Sequence, residues 1–326
     1  MKRTARRKIA PVLTAVAFVM LLVGCQEYPA PAGEPPVVLI DRESKIPPQQ
    51  MKVTPELDLH PPILHSDEYR EPVPMAYPVN TAGAEDSGFI MPDGKTLYVW
   101  FTPNPNAPLA DQLDDGVTGI YKAEEVGGVW QKPERAVLQD AGKQSLDGCA
   151  FVQGGTMWFC SARAGYTGLH WFTASWRNGK WTGWTNAGFN PEYEVGELHI
   201  TSDGRELYFH SPRPGGKGQY DIWVSKRAGS EWLPPENVEA VNSPETDGWP
   251  SLTEDGNELW FTRVYMGTPA IFRSKRVGGE WQAPELIVSQ FAGESSVDNR
   301  GNLYFTHHFY RDGVMLEADI YVAYRK

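Results

Sequence analysis

Apolar and polar positions alternate along this chain in short bursts, and no segment keeps a 3.6-residue period long enough for a buried helix. From about residue 65 the bursts repeat. An aromatic after a short glycine turn recurs at Trp130, Trp181, Trp232 and Trp281, with spacings of 51, 51 and 49. Upstream of each lies an apolar pair, Ile120-Tyr121, Trp171-Phe172, Ile222-Trp223 and Ile271-Phe272, with a further copy at Ile320-Tyr321. Each unit also opens on an aromatic run: Leu97-Tyr98, Met157-Trp158-Phe159, Leu207-Tyr208-Phe209, Leu259-Trp260-Phe261 and Leu303-Tyr304-Phe305. Turn pairs such as Asp93-Gly94, Gly154-Gly155, Asp203-Gly204 and Asp255-Gly256 precede these runs. Four short strands per ~50 residues, joined by glycine turns, predict the blades of an all-β propeller.

The two ends of the repeat set the count. The last unit stops at its third strand, Asp319-Ile320-Tyr321-Val322, and has no fourth. At the other end, Glu68-Tyr69-Arg70-Glu71-Pro72 matches Glu280-Trp281-Gln282-Ala283-Pro284, so an orphan outer strand opens the domain. Joining the two ends completes a unit and removes exposed sheet edges. The expectation is a five-bladed propeller closed by an N-terminal strand.

Ser211–Arg227 (SPRPGGKGQYDIWVSKR) and Glu245–Arg263 (ETDGWPSLTEDGNELWFTR) resemble TolB-like propeller repeats, the WD-repeat-like units of bacterial envelope proteins. The second unit lacks the Asp-Ile pair and the first carries a longer loop. The resemblance implies the propeller fold. It leaves function open, because such scaffolds serve binding and catalysis alike.

The first residues place the protein. Lys2, Arg3, Arg6, Arg7 and Lys8 precede an apolar run from Ile9 to Gly24, with no acid before Cys25. The run is short for a membrane span, which takes about 20 residues, and suits a signal-peptide core. It ends on Leu22-Val23-Gly24-Cys25, which resembles the bacterial lipobox, so residues 1–24 are expected to be removed and Cys25 lipidated. Residues 25–50, with Pro29, Pro31, Pro35, Pro36, Pro47 and Pro48, read as a stiff tether, and 51–326 as the propeller. Gln26 is not the Asp that resembles an inner-membrane retention signal, which favours the outer membrane, facing periplasm or cell surface. The membrane is contacted through the lipid alone.

Charge narrows the partners. The chain has 30 basic and 41 acidic residues, and losing the five basic residues of the signal takes the net charge from −11 to −16. Such a body repels phosphate backbones, so nucleic acid is excluded as a partner. A monomer is expected.

Chemistry is sparser. The inner strands begin with acids: Glu85 and Asp86, Asp147, Glu194 and Glu197, Glu245 and Asp247, and Glu294. Five blades would bring these towards one axial funnel. Catalytic candidates are therefore Glu197, Asp247, Asp86, Asp147 and Glu294, since glycosidases set two carboxyls about 5–5.5 Å or ~6.5–9.5 Å apart across a bond. The same positions also suit acids that cap turns by accepting backbone N–H bonds, which is what repetition of an acid predicts. Glu197 is the expected exception, because it sits deeper along its strand. Tyr265, Tyr310 and Arg311 lie on loops and could stack on or bind a ligand. His199 and His210 fall near each other on one hairpin, with Glu197 on the same side. Three metal ligands on one hairpin are awkward, so no metal site is expected there. His307 and His308 are consecutive in a strand and point to opposite faces. Arg163 and Arg213 sit in a repeated Ser-x-Arg turn and read as structural.

No nucleophile elbow, phosphate-cradling loop or Cys-x-x-Cys occurs, and no cofactor is expected. The remaining cysteines, Cys149 and Cys160, would be directly opposite if Gly154-Gly155 formed a two-residue hairpin turn, close enough for a disulfide. The reading is an envelope lipoprotein that binds a protein or a carbohydrate at its loop face. The alternative is a glycoside-acting hydrolase or lyase using the acidic funnel.

Overall fold

The computed structural model describes residues 39–189 and 195–326, within one compact unit, Pro36–Lys326. Cys25, the segment 1–24 and Glu194 lie outside the described residues. Strands dominate. The helical elements among the described residues are a 3-10 turn at Arg42–Lys45 and a short helix at Leu109–Asp114. No helix in the described residues is long and apolar enough to cross a membrane.

Strand pairing follows the sequence repeats. The first repeat is an antiparallel meander of Ala84–Ile90, Thr96–Thr102 and Gly119–Val126, edged by Val129–Trp130 and Glu134–Arg135. The second runs Ser145–Gln153, Thr156–Arg163, His170–Arg177 and Lys180–Asn186. The third is Leu198–Ile200, Glu206–Ser211 and Asp221–Ala228, and the fourth Asp247–Leu252, Glu258–Tyr265 and Thr268–Val277, each with short outer strands. The last is Ala292–Val297, Leu303–Arg311 and Val314–Ala323, and its outer partner comes from the N-terminal side: Val73–Pro74 pairs with Tyr321 and Val322. A bridge from Tyr69 to Arg325 extends that pairing. A single parallel contact, Ala84 to Ala318, links the last repeat to the first, and no hydrogen-bonded sheet closes on itself.

The aromatic runs build the core between repeats. One cluster packs Tyr98 and Ile120 on Phe159 and Phe172, another Trp171 on Phe209 and Trp223, and a third Tyr208 on Leu259 and Phe261. Trp260 and Ile271 pack on Phe305 and Tyr321, and Val99 and Phe101 on Tyr304 and Ile320, so the last repeat also meets the first. Burying each such side chain contributes roughly 1.5–3 kcal/mol, which is why bulk is placed between the sheets.

The tether reading fails from Asp41 onward. Residues 41–60 form a strap docked on the body. Arg42, 2% exposed, donates to the carbonyls of Pro78 and Val79, lies 3.2 Å from Glu85 and covers the Phe101 ring at 4.7 Å. Gln50 bonds Ala82 O, Lys52 pairs with Glu317 and Asp319, and Asp58 meets His307 at 2.9 Å. Proline content suggested a segment unable to bury surface. A few charged anchors do it instead.

Candidate functional site

Each inner strand approaches the centre with one irregularity. Register slips occur between Asp86 and Phe89, Gly148 and Phe151, Gly248 and Ser251, and Gly293 and Ser296. In the third repeat the slip falls at Glu197, between the Gly196–His210 contact and the Leu198–Phe209 pair. A bulge turns one side chain out of the ladder and re-aims it. The re-aimed residues are Ser87, Cys149, Glu197, Trp249 and Glu294, and all five line one funnel. Four of them hold the left-handed backbone that non-glycine residues avoid: Ser87 (φ 48°), Cys149 (56°), Trp249 (52°) and Glu294 (52°).

The residue before the bulge is glycine in four repeats, and at Gly248 and Gly293 the previous repeat covers it. A Cβ at Gly248 would lie 3.1 Å from the His210 ring, and one at Gly293 3.2 Å from the Thr262 hydroxyl. A Cβ at Gly196 would run into the same His210 ring. These covering groups also bond the strained backbone. Trp249 N–H donates to His210 Nδ1 at 3.0 Å, and Glu294 N–H to Thr262 Oγ1 at 2.8 Å.

The acids divide into two sets. Asp147 accepts from Ser145, Ser161 and Arg163, the last at 2.7 Å, and Asp247 from Ser243 N–H, its hydroxyl and Arg263. Glu85 accepts from Thr81 N–H and hydroxyl. These three tie down the links between repeats and do not line the funnel, so Asp147 and Asp247 are withdrawn as catalytic candidates. Glu197 and Glu294 line it, and Asp86 lies beside Glu294, outside the lining.

Their surroundings pull their acidities apart. Burial disfavours the charge on Asp86, but His308, 3.6 Å away, and hydrogen bonds from His308 and Glu294 outweigh it and hold Asp86 below the usual carboxylate range. Burial raises Glu294 well above its ordinary value, reinforced by the charges of Asp86 and Glu197. Burial also opposes the charge on His308, yet Asp86 raises its pKa on balance. Glu294 is further fixed by Ser87, whose hydroxyl donates to it at 2.6 Å. Glu197 is raised by burial. It accepts from the Cys149 thiol at 3.1 Å and faces His210 Nε2 at 3.6 Å. Burial pushes His210 down to about 3, so the ring is neutral at ordinary pH. With Nδ1 accepting from Trp249, its proton sits on Nε2 and points towards Glu197.

Asp86, Glu294 and His308 offer ligand atoms all within 4.8 Å of one another, a set that a divalent cation preferring oxygen and imidazole could use. That set is spread over strands of different repeats, unlike the single hairpin weighed from sequence. The funnel is therefore lined by two acids with raised pKa values, Glu197 and Glu294, with the lowered Asp86 beside Glu294 and aromatic edges from Phe89, His199 and Trp249.

Other sequence candidates lie elsewhere. His199 does not meet His210; it stands opposite Tyr208 and packs on Phe151 at 4.6 Å and Phe89 at 6.1 Å. Tyr265 packs on Phe272 and Tyr310 stacks on Phe291 at 4.7 Å, and neither they nor Arg311 line the funnel. His307 turns to Asp58 of the strap while His308 faces Asp86. Arg163 stacks over Phe172 at 4.3 Å beside Asp147. Cys149 and Cys160 are free thiols with sulfurs 2.8 Å apart. Phe151 does pair with Trp158, but the bulge sets Gly148, not Cys149, opposite Cys160. Sequence reasoning did not pick out Ser87 or Trp249; the recurring Gly-X pair at Gly148, Gly196, Gly248 and Gly293 was the available signal.

No family model matches the sequence, and no curated protein matches it. Among solved structures, the endo-arabinase from Bacteroides thetaiotaomicron VPI-5482 superposes with a TM-score of 0.50 at 16% identity, over 76% of this chain and 96% of that one. TolB from Acinetobacter baumannii gives 0.46 at 11% identity, over 76% of this chain and 56% of that one, so the chain spans little more than half of TolB. Bacteroides ovatus xyloglucan PUL GH43B gives 0.49 at 14% identity, over 77% and 53%. Likeness at this level speaks for the fold alone: an all-β chain of the propeller type.

Proposed function

We propose that this is an envelope lipoprotein whose propeller binds a carbohydrate in its axial funnel. The observation that carries the reading is the placement of five side chains of four kinds, Ser87, Cys149, Glu197, Trp249 and Glu294, at one repeated position around that funnel. A structural need would repeat the residue. Different residues at equivalent sites suit a ligand with different faces. The size favours a sugar over a protein, since fourteen residues line the funnel, whereas a stable protein interface takes about 20–30 residues a side. Carboxylates and a serine hydroxyl accept and donate to sugar hydroxyls, and aromatic edges meet the ring's C–H face.

Five blades closed by the N-terminal strand are part of this reading. The Val73–Pro74 pairing and the core cluster joining the last repeat to the first support it. Lipidation at Cys25, with outer-membrane attachment, rests on the lipobox, and mass spectrometry of the mature N-terminus checks it. An unmodified N-terminus elsewhere would refute it.

Glycoside hydrolysis is a second reading, favoured by the split acidities of Asp86 and Glu294. Paired groups with opposed pKa values are the usual mark of an acid and a base. Asp86 and Glu294 share a proton at close range, so Glu197 would be the separate carboxyl. The endo-arabinase shares the fold, and its substrate class is a reasonable first probe. The test is titration calorimetry with a glycan panel, with product analysis, on wild type and Glu197→Gln. Binding lost in the variant supports the site. Binding kept at full strength overturns it, and turnover in wild type alone selects the enzyme.

A further inference from the structure

A second ligand groove lies on the outer rim of the second repeat, and the other repeats show that it is not a structural requirement. In each repeat the outer-strand aromatic meets a residue at the end of the third strand. The partners are Glu125 for Trp130, Arg227 for Trp232, Arg276 for Trp281 and Arg325 for Tyr69. The three guanidinium groups lie over their rings at 5.4, 5.2 and 5.2 Å. In the second repeat the partner of Trp181 is Trp176, with ring centroids 5.1 Å apart at 63°. Three residues past the aromatic the repeats carry Pro72, Pro133, Pro235 and Pro284. Here the second repeat carries Trp184.

The backbone is rebuilt to suit. Without the proline, Lys180–Asn186 runs as one strand, broken by a bulge in which Gly183 takes φ 64°. The left-handed turn at Gly183 changes the direction of Trp184. Trp176, Trp181 and Trp184 then line a groove of about 370 Å³ with Lys122, Glu134 and Lys180 around it. Trp176 is 40% exposed and Trp184 half-buried, while Trp181 forms the floor. Lys122 sits over the Trp176 ring at 4.8 Å.

The geometry points to a second carbohydrate-binding groove, in which Trp176 and Trp184 stack on the flat C–H faces of a glycan chain. Aromatic faces give apolar area at low entropic cost, and the rim offers both donors and an acceptor. Sugar hydroxyls use both kinds. A proline-rich peptide, the other common ligand of tryptophan grooves, lacks most of its N–H donors and would leave Glu134 unused. The choice of glycan rests on the proposed function of the funnel, but the groove shares no residue with it.

The test restores the residues that other repeats already use: Trp176→Arg and Trp184→Pro, each in the full chain. Cellohexaose, xylohexaose, linear arabinohexaose and a decaproline peptide are the probes, read by tryptophan fluorescence and calorimetry, with Glu197→Gln alongside. One hexasaccharide or more is expected to bind wild type and to weaken about ten-fold or more in both tryptophan variants, the scale of a lost aromatic contact. Glu197→Gln should leave that component intact. No hexasaccharide binding, binding unchanged in both tryptophan variants, or preference for decaproline overturns the groove. Loss in Glu197→Gln alone leaves the funnel standing and rejects the groove; if the tryptophan variants lose their component and wild type shows no second one that Glu197→Gln removes, the groove stands and the funnel fails. If Trp184→Pro fails to fold, Trp176→Arg still decides.

Discussion

The strap can be tested through Arg42. Its side chain and that of Glu85 are 1% and 0% exposed, and their atoms approach to 3.2 Å without a directed hydrogen bond, so the contact is chiefly Coulombic. Replacing Arg42 by Met keeps much of the apolar stem over Phe101 and Tyr121 but removes the charge. Glu85 then stays buried among Thr81 donors with no cation on it. Breaking a buried pair from one side typically costs about 3–5 kcal/mol. For a large domain ~2–4 °C is lost per kcal/mol, so the melting temperature should fall on the order of 10 °C.

The pH dependence has a sign. Burial raises the Glu85 pKa and the charge of Arg42 pulls it down, so losing Arg42 raises it further. A carboxyl whose folded pKa is raised gives stability that is present below its unfolded value, about 4.3, and is lost as pH rises through the folded value. The deficit of Arg42→Met should therefore be largest near neutral pH and shrink towards pH ~4. Calorimetric melts across that range measure it, with Arg42→Met/Glu85→Gln as the control that recovers more than half the loss. An Arg42→Met melt indistinguishable from wild type at neutral pH would mean that the strap is a tether after all.

Two further outcomes follow from the funnel. Gly196→Ala drives a methyl into the His210 ring and should cost about 1–3 kcal/mol of stability, as overpacking does, while weakening glycan binding; urea melts and calorimetry check both. His308 has its folded pKa raised, so its pair with Asp86 stabilises fully below the unfolded imidazole value of about 6.5 and loses that contribution as pH climbs through the folded value. Urea melts from pH 5 to 9 should show an alkaline decline that His308→Gln flattens, and an unchanged decline in the variant would refute the pairing.

How much of this was legible depends on the distance over which each feature is set. Strand order was readable because a glycine turn and an aromatic run are local signals, and the outer partner of the last repeat could be found by matching Tyr69 to Trp281. The cap role of Asp247 was also open to reading, since it accepts the backbone N–H of Ser243 in its own link; Asp147 instead holds the side chains of Ser145, Ser161 and Arg163. The bulges were not open to reading. At two of them His210 or Thr262 of one repeat lies over a glycine of the next, contacts 38 and 31 residues apart in sequence and invisible to hairpin counting. Cys149 shows the consequence: the two-residue turn does set Phe151 opposite Trp158, and then the bulge absorbs the residue that would have paired with Cys160. The strap was missed for another reason. Proline and low aromatic content describe average burial, whereas docking here needs only Arg42, Gln50, Lys52 and Asp58 to find polar sockets.

Repetition supplies the stronger argument about function. Where every repeat needs the same thing, it carries much the same residue: a cap acid, a glycine under a covering side chain, a proline bracing the outer strand. Departure at such a position costs stability unless something else compensates, so persistent departure locates a requirement that folding does not impose. The funnel's re-aimed position carries four residue types in five repeats, Ser87, Cys149, Glu197, Trp249 and Glu294. Four of these accept left-handed backbone, each at a cost of order 1–3 kcal/mol. The rim departs at two linked positions, Trp176 and Trp184, in the second repeat alone; the first repeat changes only the arginine, to Glu125, and keeps its proline. A packing defect would give single, unrelated changes. Two tryptophans replacing an arginine and a proline across one hairpin, with a glycine bulge to aim one of them, is the pattern expected of a surface shaped for a ligand.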